Sequence, residues 1–183
     1  MLFRSLTASD VADILISFCM IDSDLAEQTL DYMLAWPDMY GMDEILLPTA
    51  LDIAGLTTSN ELSTVKRLHQ LVITHLQTRL ALPLEPPADW RRDNTIKCSC
   101  SDCRGLSQFL NNAEQAQWRL KAVESRRSHV QHSIDMNKCD IDYVTEKKSR
   151  PYSLVCTKNQ ASYQRRVMQS KRDQEALARL LDF

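Results

Sequence analysis

Three cysteines fall within six residues, in the run Cys98-Ser99-Cys100-Ser101-Asp102-Cys103. Cysteines this close along the chain make poor disulfide frameworks, because the short loops between them strain the bond geometry. They suit a thiophilic metal instead, and zinc takes about four sulfur or nitrogen ligands in a tetrahedron. An Fe–S cluster is an alternative occupant, although zinc is the commoner one for so short a motif. The CxCxxC motif therefore predicts a zinc site that lacks one ligand.

The fourth ligand has three candidates, which are His129, His132 and Cys139. The apolar spacing predicts one helix over 112–135, with Trp118 and His129 on the same face, so this helix would carry His129 to the metal as it folds back over the cysteines. His132 lies one turn further, and Cys139 lies just past the helix and would complete an all-cysteine site. A surface histidine, and a cysteine cluster without metal, are the alternatives that the residues leave open.

The pattern around the cysteines favours a structural metal over a catalytic one. A thiolate-rich site is closed, whereas a catalytic zinc keeps an open position and a nearby carboxylate base. The sequence lacks the motifs of three common catalytic metal sites. These are the HxE and PCxxC pair of nucleobase deaminases, the HExxH of metalloproteases and the HxD of non-haem iron sites. The sequence names no catalytic or cofactor-binding residue and argues against an enzyme.

Glycine usage excludes several nucleotide-binding and hydrolase sites. The chain has 183 residues and three glycines, Gly41, Gly55 and Gly105. Glycines this far apart cannot form GxGxxG, a P-loop or a GxSxG elbow, which need them for close backbone approach or positive φ. We expect Gly55 to end a helix and Gly105 to let the chain turn from the cysteines into the next helix.

The elements that would position the site are mainly helical. Residues 1–82 predict an acidic helical bundle, with a HEAT-like stack of helix pairs as an alternative. Thr7–Asp10 and Thr58–Glu61 have the capping-box pattern, and Ser23 is the expected cap of the second helix. Residues 83–97 predict a proline-rich connector, since Leu82–Asp89 holds three of the six prolines.

A small α+β module is expected to follow the connector. Residues 98–158 predict a cysteine-rich zinc module whose β-hairpin pairs Ile141–Val144 with Tyr152–Cys156. Residues 159–183 predict a basic C-terminal helix. The expected fold is therefore mainly α, in which a zinc ion staples the small module together.

Charge is divided unevenly along the chain. Residues 1–85 hold 4 Lys+Arg and 12 Asp+Glu, a net charge of −8. Residues 86–183 hold 18 Lys+Arg and 12 Asp+Glu, a net charge of +6. Basic residues of the second half are candidate nucleic-acid contacts, and a solvated face or a surface that docks the acidic half is the alternative. These candidates are Arg126, Arg127, Lys147, Lys148, Arg165, Arg166, Lys171 and Arg172.

The surroundings of the protein can also be inferred from composition. No apolar run is long enough for a membrane span, and no secretory signal is apparent at the N-terminus. Reactive thiols without such a signal indicate a reducing, intracellular location in the cytoplasm or the nucleus. No small-molecule substrate is indicated.

The order of several short motifs resembles a known family. The motifs are Pro83–Trp90 (PLEPPADW), the CSCSDC run, Leu106 with Phe109-Leu110, Arg127-Ser128-His129, and Arg150–Lys158 (RPYSLVCTK). This order resembles the cysteine-rich C-terminal region of large, mainly fungal proteins, many of which also carry a prolyl-4-hydroxylase-like Fe(II)/2-oxoglutarate oxygenase domain. The match covers about 83–158.

The resemblance bears on the ligands and on activity. Cys98, Cys100, Cys103 and His129 match recurrent metal-type positions of that region, and His132 does not, which favours His129 as the fourth ligand. Val130 and Arg150 depart from the family pattern, where leucine and serine are usual. Because the oxygenase domain is missing, its activity is not carried over.

Three functions follow as expectations. The first is a non-catalytic zinc-binding module that interacts with a protein partner, whose identity the sequence leaves unknown. The second is nucleic-acid binding through the basic half. The third is an accessory region of a protein of the 2-oxoglutarate oxygenase type.

Overall fold

The computed structural model describes residues 6–56 and 62–182. The described chain is mainly α with a small α+β part, as predicted, and it forms two compact units. One unit comprises the described residues of 1–83 together with 168 onwards, and the other comprises 84–167. In the described part of the chain, no helix is both long enough and apolar enough to cross a bilayer.

The first unit is helical. Its elements are α1 (Ala8–Ile21), α2 (Ser23–Ala35), a π-helical turn (Met42–Leu46), α3 (Leu47–Ala54), α4 (Ser63–Leu80) and the second part of α7 (Ala161–Leu181). Leu15, Leu30, Leu68 and Leu76 are among the residues that form its buried apolar core. The apolar stripes read from the sequence are therefore the faces that pack together.

Local capping explains where these helices begin and end. Thr7 and Asp10 form the predicted capping box at the start of α1. The cap of α2 is Asp22 rather than the predicted Ser23, because the Asp22 carboxylate accepts the Asp24 N–H at 2.9 Å. Gly55 ends α3 as predicted. The predicted capping box at Thr58–Glu61 lies outside the described residues.

The second unit surrounds a three-stranded antiparallel sheet. Its elements are α5 (Ser101–Asn111), β1 (Gln117–Lys121), α6 (Glu124–Met136), β2 (Ile141–Glu146), β3 (Ser153–Lys158) and the first part of α7. The predicted hairpin is present as β2 and β3, and the strand order is β1-β3-β2. Trp118 pairs with Cys156, which in turn pairs with Tyr143 on the other side.

The prediction of one helix over 112–135 is wrong. Asn112 ends α5, and its side chain accepts the Glu114 N–H at 2.8 Å in a tight turn. The strand β1 (Gln117–Lys121) follows this turn; in it Trp118 and Leu120 are half-buried and the other three residues are exposed. Trp118 and His129 therefore do not share a helix face.

The prediction for Gly105 is also wrong. Gly105 lies inside α5, two residues past Cys103, and does not serve as a turn. A Cβ atom added there would lie 3.3 Å from Cζ2 of Trp118. Glycine at this position thus makes room for the Trp118 ring, which stacks on Phe109 with the ring centroids 6.1 Å apart.

Candidate metal centre

The structure brings Cys98, Cys100, Cys103 and His129 together at one point. Cys98 lies in the extended segment before α5, Cys100 is the N-cap of that helix, and Cys103 is in its first turn. His129 comes from the second turn of α6. Four potential ligand atoms from two elements therefore converge, and all lie within 4.8 Å of one another.

The three sulfur–nitrogen distances at this site are close to the edges of a metal tetrahedron. The Nε2 atom of His129 lies 3.4 Å from Sγ of Cys98, 3.5 Å from Sγ of Cys100 and 3.4 Å from Sγ of Cys103. Zn–S bonds of about 2.3 Å and Zn–N bonds of about 2.0–2.1 Å at tetrahedral angles would place sulfur and nitrogen about 3.6 Å apart. The four residues could thus hold a metal ion with little rearrangement.

The start of α5 favours a thiolate at Cys100. The backbone N–H of Cys103 donates to the Cys100 sulfur at 3.4 Å and is the main cause that lowers the pKa of Cys100 to about 7. The positive end of the helix dipole acts in the same direction. Burial has the opposite effect on Cys103 and raises its pKa to about 11, which a bound cation would counter by stabilising the thiolate.

Neighbouring side chains hold the ligands in place. Asp102 is 9% exposed and accepts two hydrogen bonds from the Arg126 guanidinium, at 2.7 and 2.5 Å. This pair ties the first turn of α5 to the first turn of α6. Ser133 donates to the His129 carbonyl at 3.0 Å and lies 3.4 Å from the Cys103 sulfur.

The other predicted ligands lie elsewhere. His132 is exposed on α6, and Cys139 is half-buried against the apolar core of the second unit. Burial raises the pKa of Cys139, as expected for a thiol in apolar surroundings. In the described part of the chain, Cys98, Cys100, Cys103 and His129 form the single cluster of this kind.

Cys19 and Cys156 contribute to the apolar cores of the two units. Cys19 packs against the core of the first unit, and Cys156 is fully buried in the core of the second. Burial raises the pKa of Cys156 to about 12.

The predicted nucleic-acid contacts have varied surroundings. Arg126 pairs with Asp102, and Arg127 is buried. Lys148 and Arg165 lie 3.7 and 3.6 Å from the carboxylates of Glu146 and Asp140. The remaining four, which have no ion pair among the described residues, are exposed: Lys147, Arg166, Lys171 and Arg172.

Sequence reasoning did not identify the supporting residues Asp102 and Ser133. Asp102 lies inside the cysteine motif, and Ser133 is one helical turn after His129, so sequence position is the signal by which both could be identified. Comparisons with known proteins add no further residue, because no family model, no curated protein and no solved structure matches this chain.

Proposed function

We propose that the four-residue cluster binds one structural zinc ion and that the chain is a non-catalytic interaction module. The observation that carries the zinc proposal is the set of three sulfur–nitrogen distances of 3.4–3.5 Å around His129 Nε2. Three thiolates and one imidazole fill a tetrahedron, which leaves no position for substrate. The ion would tie the segment before α5 to α6.

Metal content tests this proposal. The purified full chain is expected to hold one zinc per molecule by elemental analysis, and Co²⁺ exchange should give the visible absorption of tetrahedral thiolate coordination. Cys103→Ser should lose the metal, whereas the matched variant Cys19→Ser, which changes a thiol of α1 outside the cluster, should keep it. A native chain without metal, or equal zinc in both variants, would contradict the proposal.

A protein partner is supported by an exposed aromatic surface on the first unit. Tyr32, Trp36 and Met39 are 53%, 55% and 59% exposed, although large apolar side chains are normally buried. Asp31 and Asp38 are exposed close to them along the chain. An apolar surface with acidic neighbours fits a partner segment that combines apolar anchors with lysine or arginine.

A synthetic amphipathic helix of leucine and lysine is a suitable probe for this surface. Calorimetry should show binding to the full chain, weaker binding of the same peptide with glutamate in place of lysine, and loss of binding in Trp36→Ser. Equal binding of both peptides, or undiminished binding to Trp36→Ser, would argue against a partner at this surface.

Nucleic-acid binding remains the second candidate, because Lys147, Arg166, Lys171 and Arg172 are exposed. If these residues neutralise phosphates, affinity for mixed DNA or RNA should fall steeply as salt rises. A flat salt response, or no binding at low salt, would exclude it.

The family resemblance suggests a third role, in which the chain accompanies an oxygenase domain. Turnover by the isolated, metal-loaded chain would be needed to establish an enzyme. A reducing compartment, either the cytoplasm or the nucleus, fits all three roles, because the six cysteines are free thiols.

A further inference from the structure

An open cavity of about 540 Å³ lies in the second unit, and none of the residues that line it is a cysteine. It is lined by Ala122, Val123, Glu124, Arg127, Arg150, Pro151 and Tyr152. This volume lies within the range of small-molecule sites, about 300–1,000 Å³. Four of the seven residues present apolar or aromatic surface, and two carry guanidinium groups.

Arg127 is the unusual residue of this cavity. It is 8% exposed, yet no carboxylate lies within ion-pair distance of it in the described chain. Its Nε donates to the Ala122 carbonyl and its Nη1 to the Thr145 hydroxyl, both at 3.1 Å. Nη2 has no hydrogen-bond partner among the described residues and reaches the surface at the pocket, because no buried side-chain nitrogen in this part of the chain lacks a partner. A buried cation held only by neutral acceptors is costly unless an anion accompanies it.

The N-terminus of α6 adds donors at the same place. Its N-cap, Val123, has no side chain that can accept a hydrogen bond. The N–H groups of Glu124, Ser125 and Arg126 precede the first intrahelical bond, which Arg127 donates to the Val123 carbonyl at 3.2 Å. An uncapped end of a 13-residue helix, beside a buried guanidinium, has the features of an anion-binding site.

The rest of the wall indicates what the anion is attached to. The Tyr152 ring lies beside Arg127, with the guanidinium carbon 5.6 Å from the ring centroid. Pro151 and Val123 extend this apolar wall, and Val123 is 58% exposed. A bare inorganic ion would leave these surfaces in water, whereas a flat organic group would cover them.

We propose that this cavity binds a small organic phosphate, in which the phosphate meets the start of α6, Arg127 and Arg150 and a planar group packs on Tyr152 and Pro151. Glu124 lies at the same opening and is the one acidic residue of the lining. It opposes the anion, so the site favours a ligand whose planar part also contributes to binding.

Calorimetric titration of the full chain with phenyl phosphate tests the proposal. Saturable binding is expected, with weaker binding of inorganic phosphate and benzoate and none of phenol. Val123→Asp would place a competing carboxylate at the helix end, and because aspartate is a good N-cap the variant should fold at least as well as the native chain. Its affinity should fall by at least about tenfold.

Two further variants test whether charge at the site, rather than a change in folding, alters the binding of phenyl phosphate. Arg150→Gln, at an exposed position, should weaken binding, and Glu124→Gln should strengthen it, since it removes the opposing charge. Each variant should keep its thermal transition. The proposal is overturned if phenyl phosphate does not bind, if Val123→Asp and Arg150→Gln bind it as well as the native chain, or if single-stranded RNA binds far more tightly and loses binding in the same variants.

Discussion

Cys100 combines two roles at the start of α5. Its sulfur accepts the Cys103 N–H as the N-cap of the helix and also lies 3.5 Å from His129. A hydrogen bond that lowers the pKa of the thiol also prepares it as a metal ligand, because metals bind the thiolate. Helix capping and metal binding thus depend on the same atom.

Asp102→Asn should weaken zinc binding without removing a ligand. The change replaces the carboxylate that accepts both Arg126 hydrogen bonds, so α5 and α6 would be held less firmly around the metal. Loss of such a supporting contact typically costs about 10–100-fold in metal affinity. Competition with a chromophoric chelator measures this. Glu146→Gln, which breaks the exposed pair with Arg119, is the control and should leave zinc affinity unchanged.

His69 should make the first unit sensitive to acid. It is 8% exposed, its Nε2 lies 3.0 Å from the Ala50 carbonyl, and burial lowers its pKa below the usual 6.5. The unfolded chain therefore binds a proton at a higher pH than the folded chain, so stability falls as the pH drops below about 6.5 and is unaffected above it.

Denaturant unfolding at about pH 7.5 and about pH 5.5 measures this effect. His69→Gln should lose less stability between the two values than the native chain does, and the exposed His132→Gln should behave like the native chain. An equal loss in all three proteins would show that His69 does not contribute.

At the scale of elements, β1 and α5 fit together through a glycine. The Trp118 ring of β1 lies against Gly105 and stacks on Phe109, and both of these residues belong to α5. The glycine costs helix stability, about 1 kcal/mol relative to alanine. As a result, the sheet packs closely against α5, the helix that contains Cys103 and is capped by Cys100.

Gly105→Ala should therefore lower the melting temperature despite the better helix propensity of alanine. Its Cβ would meet Trp118 Cζ2 at 3.3 Å, and the ring is held by Phe109. In a Trp118→Leu background the same change should stabilise the chain, since the obstructing atom is gone. Calorimetric melting of the four proteins provides the test, and stabilisation by Gly105→Ala in both backgrounds would contradict it.

At the scale of the whole molecule, the first unit is built from two distant parts of the chain. Ala176 and Leu180 of α7 join the core formed by residues of α1–α4. Asp173 is 2% exposed and accepts hydrogen bonds from Arg79 of α4 at 2.6 and 2.7 Å. A partly buried ion pair between residues 94 positions apart thus holds the C-terminal segment on the helices that precede it.

Asp173→Asn should lower the free energy of unfolding by about 2 kcal/mol, because it removes the buried carboxylate that accepts two hydrogen bonds from Arg79, whereas Asp43 still pairs with that guanidinium. Asp31→Asn, which removes an exposed partner of Arg67, is the matched control and should cost less than about 1 kcal/mol. Denaturant titration compares the two. A loss in Asp173→Asn no larger than in the control would show that the pair contributes little.

Features carried by neighbouring residues could be read from the sequence alone. The mainly helical fold, the capping box at Thr7, the β2–β3 hairpin and the three clustered cysteines all depend on residues that lie close together along the chain. Gln117–Lys121 alternates polar and apolar residues as a strand does, but the apolar residues on either side keep a helical spacing, so the pattern predicts a helix where the structure has β1.

Long-range packing could not be read in the same way. His129 lies next to three cysteines that come 26–31 residues earlier in the chain. Their proximity depends on the turn at Asn112, on the sheet and on the Asp102–Arg126 pair. His132 and Cys139 are equally good ligands by residue type, but the fold leaves His132 exposed on α6 and packs Cys139 against the core of the second unit. Ligand chemistry is a property of single residues, whereas the geometry of the candidate site comes from contacts between elements, which local sequence patterns do not encode.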